Sequence, residues 1–554
     1  MRTYGTVCST QGDKPKLLIK CEPHVMMKLK QVFPRVNPQL GVISMLATED
    51  VARDLEWFLT RFPMEVTQQA QDLMTTRARA YDRRRELTAA AMLGEAPPIP
   101  GRQMALPARS YQRVAADLAH ASGALLLADS LGVGKTVSAI KALSYDGSLP
   151  AVVVCPTHLT RQWAAELERF LPGIRTHIAK VGKPYDMRKR TGRKTIVVGQ
   201  PPEVVILNYA KIAGWAEHLY GWARAVIFDE AQHLRRAKSD KYAGCQRVAS
   251  GANIVMGLSG TPIYGYGDEW FNVFNCLKHG FLGSREEFLR EWCVHEKGQG
   301  EDAKYRIKDP RAFGAYLYES GLMLRRSRED VGRELPPFQA IWHEVDHDEG
   351  VLAQIDGTAA ELARGILGMR PVDPRDLRDM SAEFANQLRQ QTGLAKAPFV
   401  ADFVRMLVES GEKVALFGWH RSVYDLWRER LKDLQLVWFT GSETDTQKQQ
   451  ARARFIDGAA DVMVMSLRSG EGLDGLQGVC SVAVIGELDW SPQVMEQCIG
   501  RVYRDGQTKP VLAYYLVARD GADPGMLGVA DVKRTQMIAV RDPGGALVEA
   551  TTVD

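Results

Sequence analysis

A glycine-rich turn ending in Lys135-Thr136, paired carboxylates at Asp229-Glu230, and arginines at 501 and 504 are the residues of this chain whose types and spacing suit chemistry at phosphate. In GALLLADSLGVGKT, residues 123–136, an apolar run leads into a loop where Gly132 and Gly134 let backbone N–H groups wrap around an anion. Lys135 would reach the β- and γ-phosphates of a nucleotide and Thr136 would offer its hydroxyl to Mg2+. The helix that starts there would turn its positive end toward the phosphates. The general pattern asks for glycine six positions before the lysine, and this chain has Asp129. A strand-to-helix turn with a solvated lysine is the plainer reading of the same residues.

Downstream, AVIFDEAQH at 225–233 reads as a buried strand that ends in two carboxylates, the place where an open parallel sheet puts its ligand chemistry. Asp229 suits Mg2+, usually through water, and Glu230 suits polarising the attacking water. Phosphoryl transfer needs both because its transition state is stabilised mainly by positioning and charge. Upstream, Gln112 carries an amide that can read an adenine edge with paired donor and acceptor. Ser259, in GLSGTP at 257–262, could link a nucleotide site to another surface. Arg501 and Arg504, three apart, are predicted on one helical face. A guanidinium brought to the γ-phosphate from a second lobe would contribute about a thousandfold or more in rate. Surface salt bridges are the alternative for these arginines.

The elements that must position these groups alternate in type. Short apolar runs at 124–127, 151–155, 204–208, 225–228 and 254–258 alternate with helical patterns, which predicts a parallel sheet covered by helices. A second α/β block has predicted strands at 414–417, 437–439, 462–465, 482–485 and 512–516. Between the blocks, from Gly265 to Ser327, aromatic-rich helical pieces such as 270–277 and 284–292 replace the strand signal. After Pro336-Pro337 come a predicted strand at 340–345 and a largely helical stretch at 352–391. The expected organisation is an accessory module at 1–95, a proline-rich linker at 96–105, a first lobe at 106–264 and a helical insertion at 265–335. A linker strand with a helical insertion follows at 336–397, then a second lobe at 398–520 and a glycine-rich tail at 521–554. The module has predicted helices at 48–61 and around 77–86, and its Arg83-Arg84-Arg85 run reads as a solvated face before it reads as a phosphate contact.

Composition sets looser bounds. The 554 residues are 45% hydrophobic and 25% charged, with net charge +4, which permits nucleic acid without naming it. Eight scattered cysteines, with no C-x-x-C pair, argue against a disulfide framework or zinc site and fit a reducing, cytoplasmic setting. The N-terminus has no apolar signal core, and no apolar run approaches a membrane span.

Taken in order, LPARSYQ at 106–112, ADSLGVGKT at 128–136, VVVCPTHLTRQWAAEL at 152–167, ILNYAKI at 206–212 and VIFDEAQHL at 226–234 resemble the Snf-type (Swi/Snf-like) superfamily-two DNA translocases. GLSGTPI at 257–263, LMLRRSREDVGRELPP at 322–337, SLRSGEGLDGLQGV at 466–479 and QCIGRVYRDGQ at 497–507 complete the series. The short form is similar to annealing-helicase-like bacterial or phage members. The resemblance covers 106–517 and implies two RecA-like lobes that bind duplex or branched DNA across a shared face and close around ATP with Mg2+. Within the family Asp129 is ordinary. Gln232 stands where histidine is frequent, Gly500 where aspartate is common, and Gly472 and Asp474 fall in a motif expected to meet the nucleotide.

The resemblance also places DNA-backbone contacts at Thr157, His158, Arg161, Asn208, Lys211, Ser466, Arg468 and Gly470. Such hydroxyls, amides and N–H groups hold phosphates without reading sequence. Arg325 and Arg326 are further phosphate-contact candidates, favoured because the family motif contains them, with a structural ion-pair role as the alternative, and the cluster from Lys183 to Lys194 is balanced between a phosphate contact and a solvated loop. The implied activity is a DNA-stimulated ATPase that moves on duplex DNA as a monomer. It would remodel forks, anneal strands or displace proteins, with the N-terminal module recognising branched DNA or a protein partner. A strand-separating DNA or RNA helicase and a nucleotide-gated DNA clamp are the competing readings.

Overall fold

The strand Ala225–Asp229 ends in the first carboxylate and runs parallel to Ile254–Leu258 on one side and Ala151–Cys155 on the other. It lies inside a seven-stranded sheet with the order Met323–Leu324, Ala124–Leu127, Ile254–Leu258, Ala225–Asp229, Ala151–Cys155, Val204–Asn208, Thr176–Ile178. All the neighbours in it are parallel. This computed structural model describes residues 2–527 apart from 13–14, 34–37, 39, 131, 188–189, 192–195, 198–199, 261–265, 298–303, 333–334, 354–373, 468–474 and 505.

The strands are nearly continuous runs of Val, Ile, Leu and Ala because a parallel sheet is covered on both faces. Trp215 and Leu219 of the helix Ile212–Leu219, Val248 of Asp240–Ala249, and Trp270 and Phe274 of Gly267–Leu277 close over Val154, Leu207, Val226 and Phe228. Burying a side chain of this size is worth about 1.5–3 kcal/mol. The sheet is thus a rigid base, and the loops at the carboxyl ends of its strands are what remain for chemistry.

A second sheet has the order Phe338–Glu344, Val511–Val517, Val482–Ile485, Val414–Gly418, Val462–Ser466, Leu436–Phe439, again parallel throughout. Alternate residues face opposite sides, as a period of two requires. Val414, Leu416, Val462 and Val464 pack with Val400, Val404 and Trp427, while Ala415, Phe417, Met463 and Met465 pack with Phe455, Met495 and Cys498. The chain is therefore α/β with two RecA-like parallel lobes, as the motif series implies. No helix among the described residues is long and apolar enough to cross a membrane.

Three details differ from the sequence reading. Within 265–335 an antiparallel hairpin, Cys293–Lys297 with Lys304–Ile307, interrupts the helices. Met323–Leu324 and Thr176–Ile178 add edges to the first sheet; at two and three residues they are too short to show a period. The strand near 340 is no isolated linker, because Phe338–Glu344 pairs along its whole length with Val511–Val517. Such distant pairing leaves no local trace in the sequence.

The chain divides into two units, residues 1–99 with 114–123, and residues 100–113 with 124–554. The first contains a four-stranded sheet of order Val42–Leu46, Lys16–Cys21, Gly5–Ser9, Glu65–Val66. Leu17, Ile19, Val25, Leu29, Ile43, Leu55 and Phe58 form its core. The predicted helices are Glu49–Arg61, capped by the Thr48 side chain, and the longer Gln68–Leu93. Arg84 pairs with Glu49 and Asp50, and Arg53 with Asp82, so part of the arginine run ties these helices together.

Candidate nucleotide and nucleic-acid site

The loop after Ala124–Leu127 turns on two glycines with positive φ, Gly132 at 81° and Gly134 at 91°, the second being the N-cap of the helix Lys135–Ser144. Side chains rarely adopt this backbone, and space forbids them as well. A Cβ at Gly134 would lie 2.6 Å from Gln112 Nε2, and one at Gly132 2.7 Å from Arg328 Nη2. Lys135 and Thr136 open the helix, where first-turn N–H groups and the helix dipole favour anions. Lys135 Nζ lies inside the loop, donating to the carbonyls of Asp129 (2.7 Å) and Ser130 (3.2 Å).

Asp129 replaces the glycine of the general pattern for a visible reason. Its fully buried carboxylate accepts from Arg326 N (2.9 Å), Nε (3.1 Å) and Nη2 (2.6 Å). The same guanidinium also donates to the Tyr111 carbonyl and lies over the Tyr111 ring. Of the two readings open for Arg326, the ion pair is the one the geometry supports. Tyr111 OH donates to the Val133 carbonyl at 2.9 Å. Gln112 is buried, accepting from Arg109 N at 2.9 Å and donating to the Gly134 carbonyl at 3.4 Å, so it braces the loop.

At the end of Ala225–Asp229, Asp229 Oδ1 accepts from Glu230 N (3.0 Å) and Oδ2 from Trp163 Nε1 (2.7 Å). Glu230 has φ 52°, a left-handed conformation costing about 1–3 kcal/mol for a residue with a side chain. The kink leads into a short helical turn, Ala231–Arg235. From there Gln232 Nε2 donates to Glu230 Oε2 at 2.7 Å, and Ser259 Oγ donates to Gln232 Oε1 at 2.8 Å. Gln232 thus connects the second carboxylate to the serine at the end of Ile254–Leu258. Among the described residues no three His, Cys, Asp or Glu side chains form a metal cage. Hard oxygens from one carboxylate, a hydroxyl and nucleotide phosphates are what Mg2+ accepts, and Asp229 and Thr136 fit that donor set.

The proposed backbone contacts lie on the neighbouring strand ends. Thr157 and Arg161 are exposed, and Asn208 Nδ2 donates to Thr157 Oγ1 at 3.0 Å. Lys211 N donates to Asn208 Oδ1 at 3.2 Å, and its ammonium donates to the Ala179 carbonyl at 2.7 Å. Thr157, Asn208 and Lys211 are therefore one knitted group. Tyr209 OH donates to the Asp229 carbonyl at 2.8 Å. Burial pushes the Tyr209 hydroxyl far above its ordinary pKa, with Cys245 and Asp229 adding to the effect, so it remains a donor at neutral pH. Ser466 ends the strand Val462–Ser466 on the second lobe. Arg468, Gly470, Gly472 and Asp474 lie outside the described residues, as do Arg188, Lys189, Arg193 and Lys194, and nothing is assigned to the His158 side chain.

Arg501 and Arg504 do not share a helical face. The helix Pro492–Ile499 ends before them, and both, half-buried, sit in the irregular turn that follows. Val502, between them, is fully buried in the second-lobe core; Tyr503 N still donates to the Ile499 carbonyl at 2.8 Å, but Arg504 N donates to the Val502 carbonyl at 3.2 Å, so the helical ladder stops before Arg504. Between the two arginines, the Tyr503 carbonyl accepts from Arg328 Nη2 at 2.9 Å, and the Arg328 guanidinium stands 4.9 Å from the Tyr503 ring centroid. Because the same guanidinium abuts Gly132, the arginine turn lies beside the phosphate loop. Sequence reasoning missed Trp163, Tyr209 and Arg328 as site residues, although each falls inside a motif segment.

Comparison with known proteins adds the following. Residues 28–351 match the SNF2-related domain, and residues 396–506 the helicase conserved C-terminal domain. The chain is 27% identical over 417 residues to the SWI/SNF-related matrix-associated actin-dependent regulator of chromatin subfamily A-like protein 1 of Xenopus tropicalis, covering 72% of this chain and 41% of that protein. It is 23% identical over 426 residues to the DNA annealing helicase and endonuclease ZRANB3 of Homo sapiens, covering 74% and 38%. The chain thus spans about two fifths of the length of these relatives. A solved structure, the Sulfolobus solfataricus SWI2/SNF2 ATPase core in complex with dsDNA, is similar with TM-score 0.38 and 19% identity, covering 76% of this chain and 90% of that one.

Proposed function

This chain belongs to the SNF2-related family, and from that premise we propose that it is a DNA-dependent ATPase that translocates on duplex DNA and remodels branched DNA or DNA–protein complexes. The observation that carries the reading is the placement of the 501–504 turn of the second lobe against the Gly132 turn of the first through Arg328. A cleft built this way needs both lobes to complete it, so its closing and opening can be coupled to a change in their spacing.

In this reading the Gly132–Gly134 loop and the N-terminus of Lys135–Ser144 hold the nucleotide phosphates, with Lys135 neutralising the γ-phosphate. Mg2+ held by Asp229 and Thr136 would supply charge neutralisation between the phosphates. Glu230, oriented by Gln232, takes the proton of the attacking water, and Arg501 and Arg504 stabilise charge that develops on the transferred group. Gln112, which braces the loop, is assigned to the adenine edge, and Gly472 and Asp474 are assigned to the nucleotide by the motif they fall in. Thr157, His158, Arg161, Asn208, Lys211, Ser466, Arg468 and Gly470 hold the DNA backbone. The module at 1–95 selects branched DNA or a protein partner.

ATP hydrolysis measured with linear, forked, four-way and single-stranded DNA, alongside displacement of a triplex-forming strand, tests this. Duplex stimulation with triplex displacement is the expected outcome. Stimulation with unwinding of tailed duplexes points to strand separation instead, and no response to any DNA overturns the proposal.

A further inference from the structure

The carboxylate suited to Mg2+ is held from the side on which DNA is proposed to bind. The strand Ala151–Cys155 lies between Ala225–Asp229 and Val204–Asn208, so the loops after all three strands emerge side by side. The first leads through a short turn at Thr157–Leu159 into the helix Thr160–Phe170. Trp163 lies on the inner side of that helix with Leu167 and Phe170, while Arg161, two positions earlier, is exposed. An indole N–H only donates, and this one, 2% exposed, donates to Asp229 Oδ2 at 2.7 Å. The loop after Val204–Asn208 does the same from the next position outward, where Tyr209 donates to the Asp229 carbonyl at 2.8 Å. The two loops are tied to each other in front of these aromatics by the Asn208–Thr157 hydrogen bond at 3.0 Å.

The Thr157 segment therefore presents the exposed Thr157 and Arg161 with an aromatic donor behind them, and the second loop adds the buried Asn208, bonded to Thr157, with Tyr209. Both donors end on residue 229, Trp163 on its carboxylate and Tyr209 on its backbone carbonyl. We propose that Trp163, with Tyr209 beside it, is a positioning residue that couples DNA-backbone contact at Thr157, Arg161 and Asn208 to the orientation of Asp229. The inference rests on the translocase reading and names the path by which DNA stimulates hydrolysis. A helix moves as a rigid body, so a phosphate seated at its exposed first turn displaces Nε1, and the carboxylate follows a charge-assisted hydrogen bond of this length. A tryptophan that merely satisfies its N–H in a core would tie stability to this contact without tying the two ligands to each other.

Reciprocal linkage separates these cases. The affinity of the full chain for a fluorescent duplex is measured at fixed salt, with and without a non-hydrolysable ATP analogue and Mg2+. The same measurement is made on Trp163→Phe, which keeps the ring and removes the donor, and on Tyr209→Phe, which removes one hydroxyl. In the unsubstituted chain the analogue changes duplex affinity, and DNA raises kcat. In Trp163→Phe each ligand alone binds within about twofold of the parent, the mutual effect falls toward one, and DNA stimulation drops about tenfold, as loss of one charge-assisted hydrogen bond allows. Tyr209→Phe shifts both in the same direction by less, and it carries the test if Trp163→Phe does not fold. Unchanged linkage in both variants overturns the inference and leaves the translocase reading standing. Weakened binding of either ligand alone assigns a structural role to the tryptophan and also overturns it. A parent chain with no linkage and no stimulation overturns the reading beneath it as well.

Discussion

Arg328 Nη2 donates to the carbonyl of Tyr503 at 2.9 Å, so a residue of the 322–337 segment grips the turn that carries the second-lobe arginines. The Tyr503 ring also stacks with Phe338, the centroids 4.9 Å apart. Arg328→Ala is expected to lower kcat for ATP hydrolysis about tenfold or more while changing nucleotide affinity less than threefold, because a hydrogen bond from a charged donor contributes about 1.5–3 kcal/mol. Arg328→Lys restores the charge without the planar fork and recovers only part of the rate. Steady-state kinetics with fluorescent nucleotide binding checks this. A raised KM with unchanged kcat would assign Arg328 to holding substrate instead of closing the cleft.

The Asp129–Arg326 pair predicts a stability effect. Asp129 is fully buried and the Arg326 side chain 12% exposed, so removing one partner strands the other's charge. Breaking such a pair costs about 3–5 kcal/mol. Asp129→Ala and Arg326→Ala should each lower the midpoint of urea unfolding strongly, and the double variant should lose clearly less than the sum. The salt dependence of DNA binding reads the phosphate alternative for Arg326. If Arg326 met a phosphate, its removal would flatten the slope of log affinity against log salt, and an unchanged slope is expected.

The two pairs also mark what the sequence could and could not reveal. The places of Lys135 and Thr136 at a helix start and of Asp229 and Glu230 at a strand end were legible, because strand, loop and helix follow one another by local spacing. The strands were legible for the same reason, as runs of buried Val, Ile and Leu. Trp163 was present in a recognised segment, yet nothing local says that its N–H ends on residue 229. Arg328 meets Tyr503 across 175 positions, a contact made by tertiary folding. The helical face expected for Arg501 and Arg504 failed because the helix ends at Ile499 and Arg504 N bonds back to the Val502 carbonyl, and where a helix stops is poorly marked in local sequence. Asp129 departs from the general glycine pattern; the family resemblance makes it ordinary, and the structure supplies the reason in a partner 197 positions away.

The cysteines give a prediction that is independent of activity. Cys8 is exposed, Cys21 intermediate, and Cys155, Cys245, Cys276, Cys293, Cys480 and Cys498 are buried. Burial raises the pKa of the Cys155, Cys245 and Cys276 thiols, and that of Cys21 with help from Glu22. Burial likewise pushes Cys293 and Cys480 up to about 12. The thiolate is the reactive form, so a raised pKa leaves less of it at pH 8. A chromogenic disulfide reagent on the native chain at pH 8 should show one fast equivalent from Cys8 and a slower one from Cys21. The remaining six should appear only in denaturant. As pH rises the Cys21 rate should climb, since its thiolate fraction is still increasing. Fast reaction of Cys155, identified by peptide mapping, would show that the sheet end beside Asp229 opens in solution.

Glu230, Gln232 and Ser259 form a relay with donor–acceptor distances of 2.7 and 2.8 Å. Glu230→Gln removes the proton acceptor and should reduce hydrolysis by at least a hundredfold, the lower end of what a general base contributes, while nucleotide still binds. Gln232→Ala leaves the carboxylate in place without the amide's hydrogen bond and removes the amide acceptor of the Ser259 hydroxyl. About tenfold in kcat is expected, corresponding to about 1.4 kcal/mol, just under the low end of the range for one hydrogen bond to a charged group. Ser259→Ala removes the far end of the relay, so its effect should be smaller and should not add to that of Gln232→Ala. Gln232→His tests how far the amide geometry matters. An imidazole presents one donor and one acceptor in a fixed plane, so it restores the rate if the two partners can be spanned by the ring. Equal and additive losses from Gln232→Ala and Ser259→Ala would show that the serine acts on its own, and the amide would then serve Glu230 alone.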